Sequence, residues 1–282
     1  MSRSSRRIPQ SGALLAVLVA VALSLVASTA AAAATLPTVS IAVTKTTGAI
    51  SGSLESGAVN VVTTDTGFKE ATVLLVRLGA GVSFAEAEAF AKTGIKGDPN
   101  NVDSIGSIVF DIEANPGTPN ETQMELKAGS YLLLVGGGKG EPAIRQTFTV
   151  TAGAAPVAMP AAQAKVRSID FGFKGPSKLH DGETVAFENE GFLVHMDLAF
   201  PVKNMKAAKQ VVAHLESGKE KGLEKFIVGP PVLFAGPLSH GATEQETITA
   251  KPGVYVQVCF METQDHRVHT RLGMERIITI TK

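Results

Sequence analysis

Short runs rich in valine, isoleucine, threonine and phenylalanine recur along the chain, separated by clusters of glycine, proline, asparagine and aspartate. Apolar runs of strand length between turn formers are the pattern of a β-sandwich. They predict strands over residues 59–63, 71–77, 131–135 and 147–151, and again over 184–188, 194–200, 254–260 and 276–281. Two segments break the strand pattern and predict helices. The first is 84–92, and the second is 206–225, where Ala207, Val211, Leu215 and Leu223 fall at helical spacing. The charged side of the second (Lys206, Lys209, Glu216, Lys219, Glu220, Lys221) reads as a solvated surface. The glycine run 136–139 reads as a hairpin loop.

The pattern repeats itself at an offset of 124 residues. Lys127, Gly129 and Tyr131 match Lys251, Gly253 and Tyr255; Asp65, Gly67 and Phe68 match Asn189, Gly191 and Phe192; Gly117 matches Gly241. The only two tyrosines fall on equivalent positions. Such a set indicates a tandem duplication. Between the copies, 151–164 is rich in Ala, Pro and Gly and reads as a linker. The expected organisation is a leader over 1–34, one sandwich over 35–150, and a second over 165–282.

The leader carries Arg3, Arg6 and Arg7, then an apolar run over 14–27, then small residues to Ala34. That order reads as a secretory signal, and the run is shorter than the roughly 20 residues a membrane span needs. The protein is therefore expected to be exported, to the periplasm, cell envelope or exterior, with no stable membrane span after cleavage. Without residues 1–34 the chain has 23 basic and 26 acidic residues. No basic block remains to bind nucleic acid. Cys259 is the only cysteine, which excludes an internal disulfide and raises the prospect of a metal role for its sulfur.

Soft ligands are confined to the second copy. All six histidines lie there, with the cysteine: His180, His195, His214, His240, His266 and His269. Ala71 and Val135 stand in the first copy where His195 and Cys259 stand in the second. Past Cys259 the offset rises to 130, so the second copy holds six more residues, in the segment with His266 and His269. A copper ion cycling between Cu(I) and Cu(II) suits one thiolate and two imidazoles in a trigonal arrangement, with a weak axial thioether. His195 upstream, followed by Cys259, His269 and Met274, supplies that set. His266 competes with His269, and Met261 with Met274. The four-residue gap from His269 to Met274 and the adjacent Gly273 favour the pair His269 and Met274. His180, His214 and His240 read as surface residues.

The segment from Pro252 through Tyr255 to Cys259, then His269, Gly273, Met274 and the alternating strand to Ile280, resembles the final strands of the cupredoxin, or blue copper, family. The Tyr four residues before Cys is shared with plastocyanin and azurin, and the nine-residue gap from Cys259 to His269 is closer to copper nitrite reductase. Met196, Val194 and Phe260 stand where the family more often has Asn, Pro, and Ser or Thr. The resemblance implies an all-β fold of two tandem cupredoxin-like Greek-key β-sandwich domains, each with a short helical insert. It also implies one type 1 copper ion on His195, Cys259, His269 and Met274, single-electron transfer to an unidentified redox partner protein, and an electron exit through the loop histidine, His269. The first domain would be metal-free, a spacer or docking surface. Two other readings stay open: a metal-free interaction module, in which these residues are ordinary core, and copper capture or delivery. Oxidase or nitrite reductase chemistry needs a second copper centre, commonly on His-x-His pairs, and none occurs. No catalytic residues are expected.

Overall fold

The computed structural model describes residues 35–93, 99–137, 144–219 and 221–282. The segment read as a secretory signal lies outside them, as does part of the glycine run at 136–139. The first half contains β1 (Thr38–Val43), β2 (Gly48–Gly52), β3 (Gly57–Asp65), β4 (Ala71–Leu78), α1 (Phe84–Thr93), β5 (Gly106–Ala114), β6 (Asn120–Leu126), β7 (Gly129–Gly137) and β8 (Ile144–Val150). The second half follows with β9 (Ala164–Ile169), β10 (Gly172–Lys174), β11 (Lys178–His180), β12 (Thr184–Asn189) and β13 (His195–Val202). After α2 (Met205–Glu216) come β14 (Val232–Leu238), β15 (Thr243–Thr247), β16 (Gly253–Val258) and β17 (Glu275–Thr281).

Each half is a two-layer β-sandwich, its strands burying alternate residues between the layers. Along β3 the inward positions Val59, Val61, Thr63 and Asp65 are buried, and the residues between them are less so. Ile41, Val61, Leu75, Phe110 and Leu133 meet in the first core, and Val166, Phe187, Phe234, Tyr255 and Ile278 in the second. The pairing repeats: β1 runs parallel to β3 as β9 does to β12, and β4 is antiparallel to β7 as β13 is to β16. Side chains repeat with it. Tyr131 donates its hydroxyl to the Lys127 carbonyl at 2.8 Å, and Tyr255 to the Lys251 carbonyl at 2.7 Å.

The halves share one layer. β6 of the first pairs antiparallel with β15 of the second, giving an eight-stranded sheet in the order β10-β9-β12-β15-β6-β3-β1-β2. The outer layers stay separate, as β5-β4-β7-β8 and β11-β17-β16-β13-β14. Thr35–Lys282 forms one compact unit. The segment read as a linker is held on its flanks: the Val157 carbonyl accepts from Ala58 N–H, and the Pro160 carbonyl from the Gln245 amide.

Both helices follow the equivalent strand of each half, β4 and β13. The second is shorter than its apolar spacing predicts. Asn204 caps its start by accepting from Ala207 N–H. It stops at Glu216 because Gly218 and Gly222 take φ of 66° and 88°, and Leu223–Lys225 forms a separate 3-10 turn. Its buried face, Ala207, Val211 and Leu215, packs with Val256 and Val258 on the outer side of β16. That helix backs β16, the strand that leads to Cys259.

Candidate metal centre

Three donor atoms converge at one end of the second sandwich. His195 opens β13, Cys259 follows the last residue of β16, and His269 begins a 3-10 turn in the loop that leads to β17. The antiparallel register of β13 on β16 brings the first two together from 64 residues apart. The loop is fixed by a bridge between Glu262 and Val268 and by His269 N–H donating to the Met261 carbonyl. Gly273, at φ 94°, ends the turn in a conformation that favours glycine.

The Nδ1 atoms of His195 and His269 lie 3.1 Å apart, and Cys259 Sγ lies 3.4 Å from His269 Nδ1 and 3.8 Å from His195 Nδ1. The point equidistant from all three is about 2.0 Å from each, close to a metal–nitrogen bond length. All three residues are buried, and no Asp or Glu among the described residues joins them. Met274 is fully buried beside them: its carbonyl accepts from Cys259 N–H, and its own N–H donates to the His269 carbonyl. One thiol and two imidazoles in a sealed pocket fit a soft, redox-active metal better than a hard one.

Burial sets the protonation states. It pushes the Cys259 thiol up to about 12, against the opposing hydrogen bonds from the N–H groups of Met196 and Met261. Burial also pulls His269 down to about 4, with the neighbouring His195 acting in the same direction. His195 is lowered too, by burial, with Asp170 opposing. Two neutral imidazoles are thus ready to ligate, and the thiol lacks only a cation to favour its ionised form.

His266 sits elsewhere. It is exposed, takes φ of 60°, and lies 3.4 Å from Glu262. Met261 contributes backbone contacts to Cys259 and His269, while its side chain packs in a cluster with Val194 and Leu132. His180, His214 and His240 place their Nδ1 atoms near the carbonyls of Lys282, Lys219 and Gly191, away from the cluster. The expected electron exit through His269 has no exposed ring edge: His195 and His269 are both buried, and His269 Nε2 is buried without a partner. Phe171, at φ 63°, meets the His269 ring edge-on at 5.4 Å.

Sequence reasoning missed Asp170. Its Oδ1 lies 3.0 Å from His195 Nε2, and its carboxylate accepts from the N–H groups of Phe192 and Leu193. Burial raises this carboxyl, but those three bonds outweigh it and hold it below its ordinary range. The sequence signal was faint, a single acid just past the end of a strand, 25 residues from its partner.

No protein-family model matches the chain, and no curated protein matches it significantly. Solved structures do. Reduced auracyanin from Roseiflexus castenholzii is 19% identical with a TM-score of 0.26, covering 42% of this chain and 95% of its own. Auracyanin A, a blue copper protein from Chloroflexus aurantiacus, is 16% identical with a TM-score of 0.25, over 41% of this chain and 95% of its own. A copper-containing nitrite reductase from Thermus scotoductus is 16% identical with a TM-score of 0.25, over 86% of this chain and 59% of its own. With scores this low, the fold rests on the strand pairing and the chemistry on the donor atoms.

Proposed function

We propose that this chain is an exported protein that carries single electrons between extracytoplasmic partner proteins. It would do so through one copper ion held by His195, Cys259 and His269, with Met274 as the fourth ligand. The observation that carries this reading is the closed triangle of one sulfur and two Nδ1 atoms, with sides of 3.1, 3.4 and 3.8 Å. Copper bound there supplies a one-electron couple between Cu(I) and Cu(II). Cys259 would give up its proton on metal uptake and provide the covalent path to the metal. Met196 and Met261 N–H groups donate to its sulfur and would stabilise negative charge there once the thiol is ionised. The histidines are held on packed elements, His195 at the head of a central strand and His269 in a bonded turn. Little rearrangement would then accompany a change of charge.

Export rests on the N-terminal signal pattern. Among the described residues, no helix is long and apolar enough to cross a membrane. The first half, with Ala71 and Val135 in place of ligands, would serve as a metal-free spacer or docking surface. Burial of all three donors favours a retained ion over a transported one.

The test is voltammetry of the copper-loaded protein from residue 35. A single reversible one-electron wave, with exchange fast on the scale of seconds, supports electron carriage. Tight copper binding with no reversible wave would transfer the argument to copper capture.

A further inference from the structure

An imidazole can ligate through Nδ1 only if its proton sits on Nε2, so what faces Nε2 decides how ready the ring is. The two histidines of the cluster differ on this point. His269 has nothing to bond at Nε2. His195 has Asp170 Oδ1 at 3.0 Å.

The carboxylate is itself fixed. It sits in the turn between β9 and β10, and accepts at 3.1 Å from Phe192 N–H and at 3.2 Å from Leu193 N–H, on the loop that leads into His195. The approach depends on Gly191. A Cβ there would lie 2.5 Å from both Asp170 Oδ1 and His195 Nε2. No side chain other than hydrogen leaves room for the pair.

The first half lacks this device. Val43 pairs with Asp65 as Ser168 pairs with Asn189, so two residues further on Lys45 corresponds to Asp170. Lys45 accompanies Ala71, and Asp170 accompanies His195. Gly67 stands where Gly191 stands, but a Cβ there would meet the backbone of Thr44 and Lys45, not an imidazole. The glycine belongs to the shared turn, and the carboxylate belongs to the half that has the donor set.

We propose that Asp170 is a positioning residue for the metal centre: its carboxylate accepts a hydrogen bond from His195 Nε2–H, keeps the proton on that nitrogen, fixes the ring, and presents Nδ1 to the ion. The proposal rests on the copper reading above. It makes the two ligand histidines unequal, His195 preset by a carboxylate and His269 set only by the metal.

The experiment compares the protein from residue 35 with Asp170→Ala, Asp170→Asn and Gly191→Ala. The His195 tautomer is read in the metal-free proteins by long-range proton–nitrogen correlation, and Cu(I) affinity by competition with a chromogenic chelator. Thermal melts confirm that each variant is folded; Asp170 is partly exposed, so its removal leaves the core intact. The expected result is a pure Nε2–H tautomer in the wild type. Asp170→Ala and Gly191→Ala then lose that preference and bind copper about 10- to 100-fold more weakly, with Asp170→Asn between them and the wild type. Loss of the loop contacts alone would not shift a tautomer. A wild-type His195 protonated at Nδ1, or an Asp170→Ala variant that binds copper within twofold of wild type, overturns the proposal while leaving the copper reading intact. A wild type that takes up no copper overturns both.

Discussion

Cys259 is where burial and charge conflict most directly. A thiol with no exposure and a pKa pushed up to about 12 is neutral throughout the physiological range. The two imidazoles beside it are neutral as well, one of them lowered to about 4. Metal uptake at pH 7 therefore has one proton to displace, that of the sulfur. Titration of copper into a weakly buffered solution should release about one proton per ion bound. Release of none would mean that the thiol is not a ligand. The soft residues themselves were legible in the sequence, because histidine and cysteine are few and the first half lacks them. Asp170 was not. Aspartate is common, and its partnership with His195 exists only once β9 lies parallel to β12 and brings the two turns together.

Strands were legible in part: the apolar strands β1, β5 and β14 were not among those expected. β4, β7, β12 and β16 carry near-continuous apolar runs, and each was found within two residues of its limits. β6 and β15 were not found. Their sequences, NETQMEL and TEQET, are polar because they pair with each other at the seam between the halves, where Gln245 donates to Gln123. The helix over 206–225 was drawn too long because Leu223 keeps helical spacing beyond two glycines that end the helix. The repeated tyrosines offer a test of the two halves as separate elements. Tyr131 both donates to the Lys127 carbonyl and accepts from the Lys127 N–H, whereas Tyr255 only donates to the Lys251 carbonyl. At about 0.5–1.5 kcal/mol per hydrogen bond, Tyr131→Phe should destabilise about twice as much as Tyr255→Phe in denaturant titrations. Equal losses would show that the corner bonds do not anchor the strands as drawn.

At the scale of the molecule, acids are buried where the halves join. Asp111 on β5 donates its N–H to Glu244 on β15 at 2.7 Å, and both carboxyls are raised well above their ordinary range by burial. Glu246, nearby on β15, is raised to about 8, again chiefly by burial. A carboxyl whose folded pKa exceeds its unfolded one stabilises the fold at low pH, and that contribution is lost as pH rises through the folded value. The buried histidines act in the opposite sense, but only below about pH 6.5, where their unfolded forms take up protons. Stability should therefore fall between about pH 6.5 and 8.5, seen as a decreasing denaturant midpoint, and Glu246→Gln should flatten the decline. A midpoint that rises over that range would contradict the burial of these groups in ionisable form. The candidate metal centre at the end of the second sandwich admits the most direct test of all, a copper titration of the protein from residue 35 followed by visible absorption and repeated with Cys259→Ala. An intense band that saturates at one ion per chain, and is absent from the variant, is the predicted result. A wild type that stays colourless, or a variant that keeps the band, would contradict a copper–thiolate centre at Cys259.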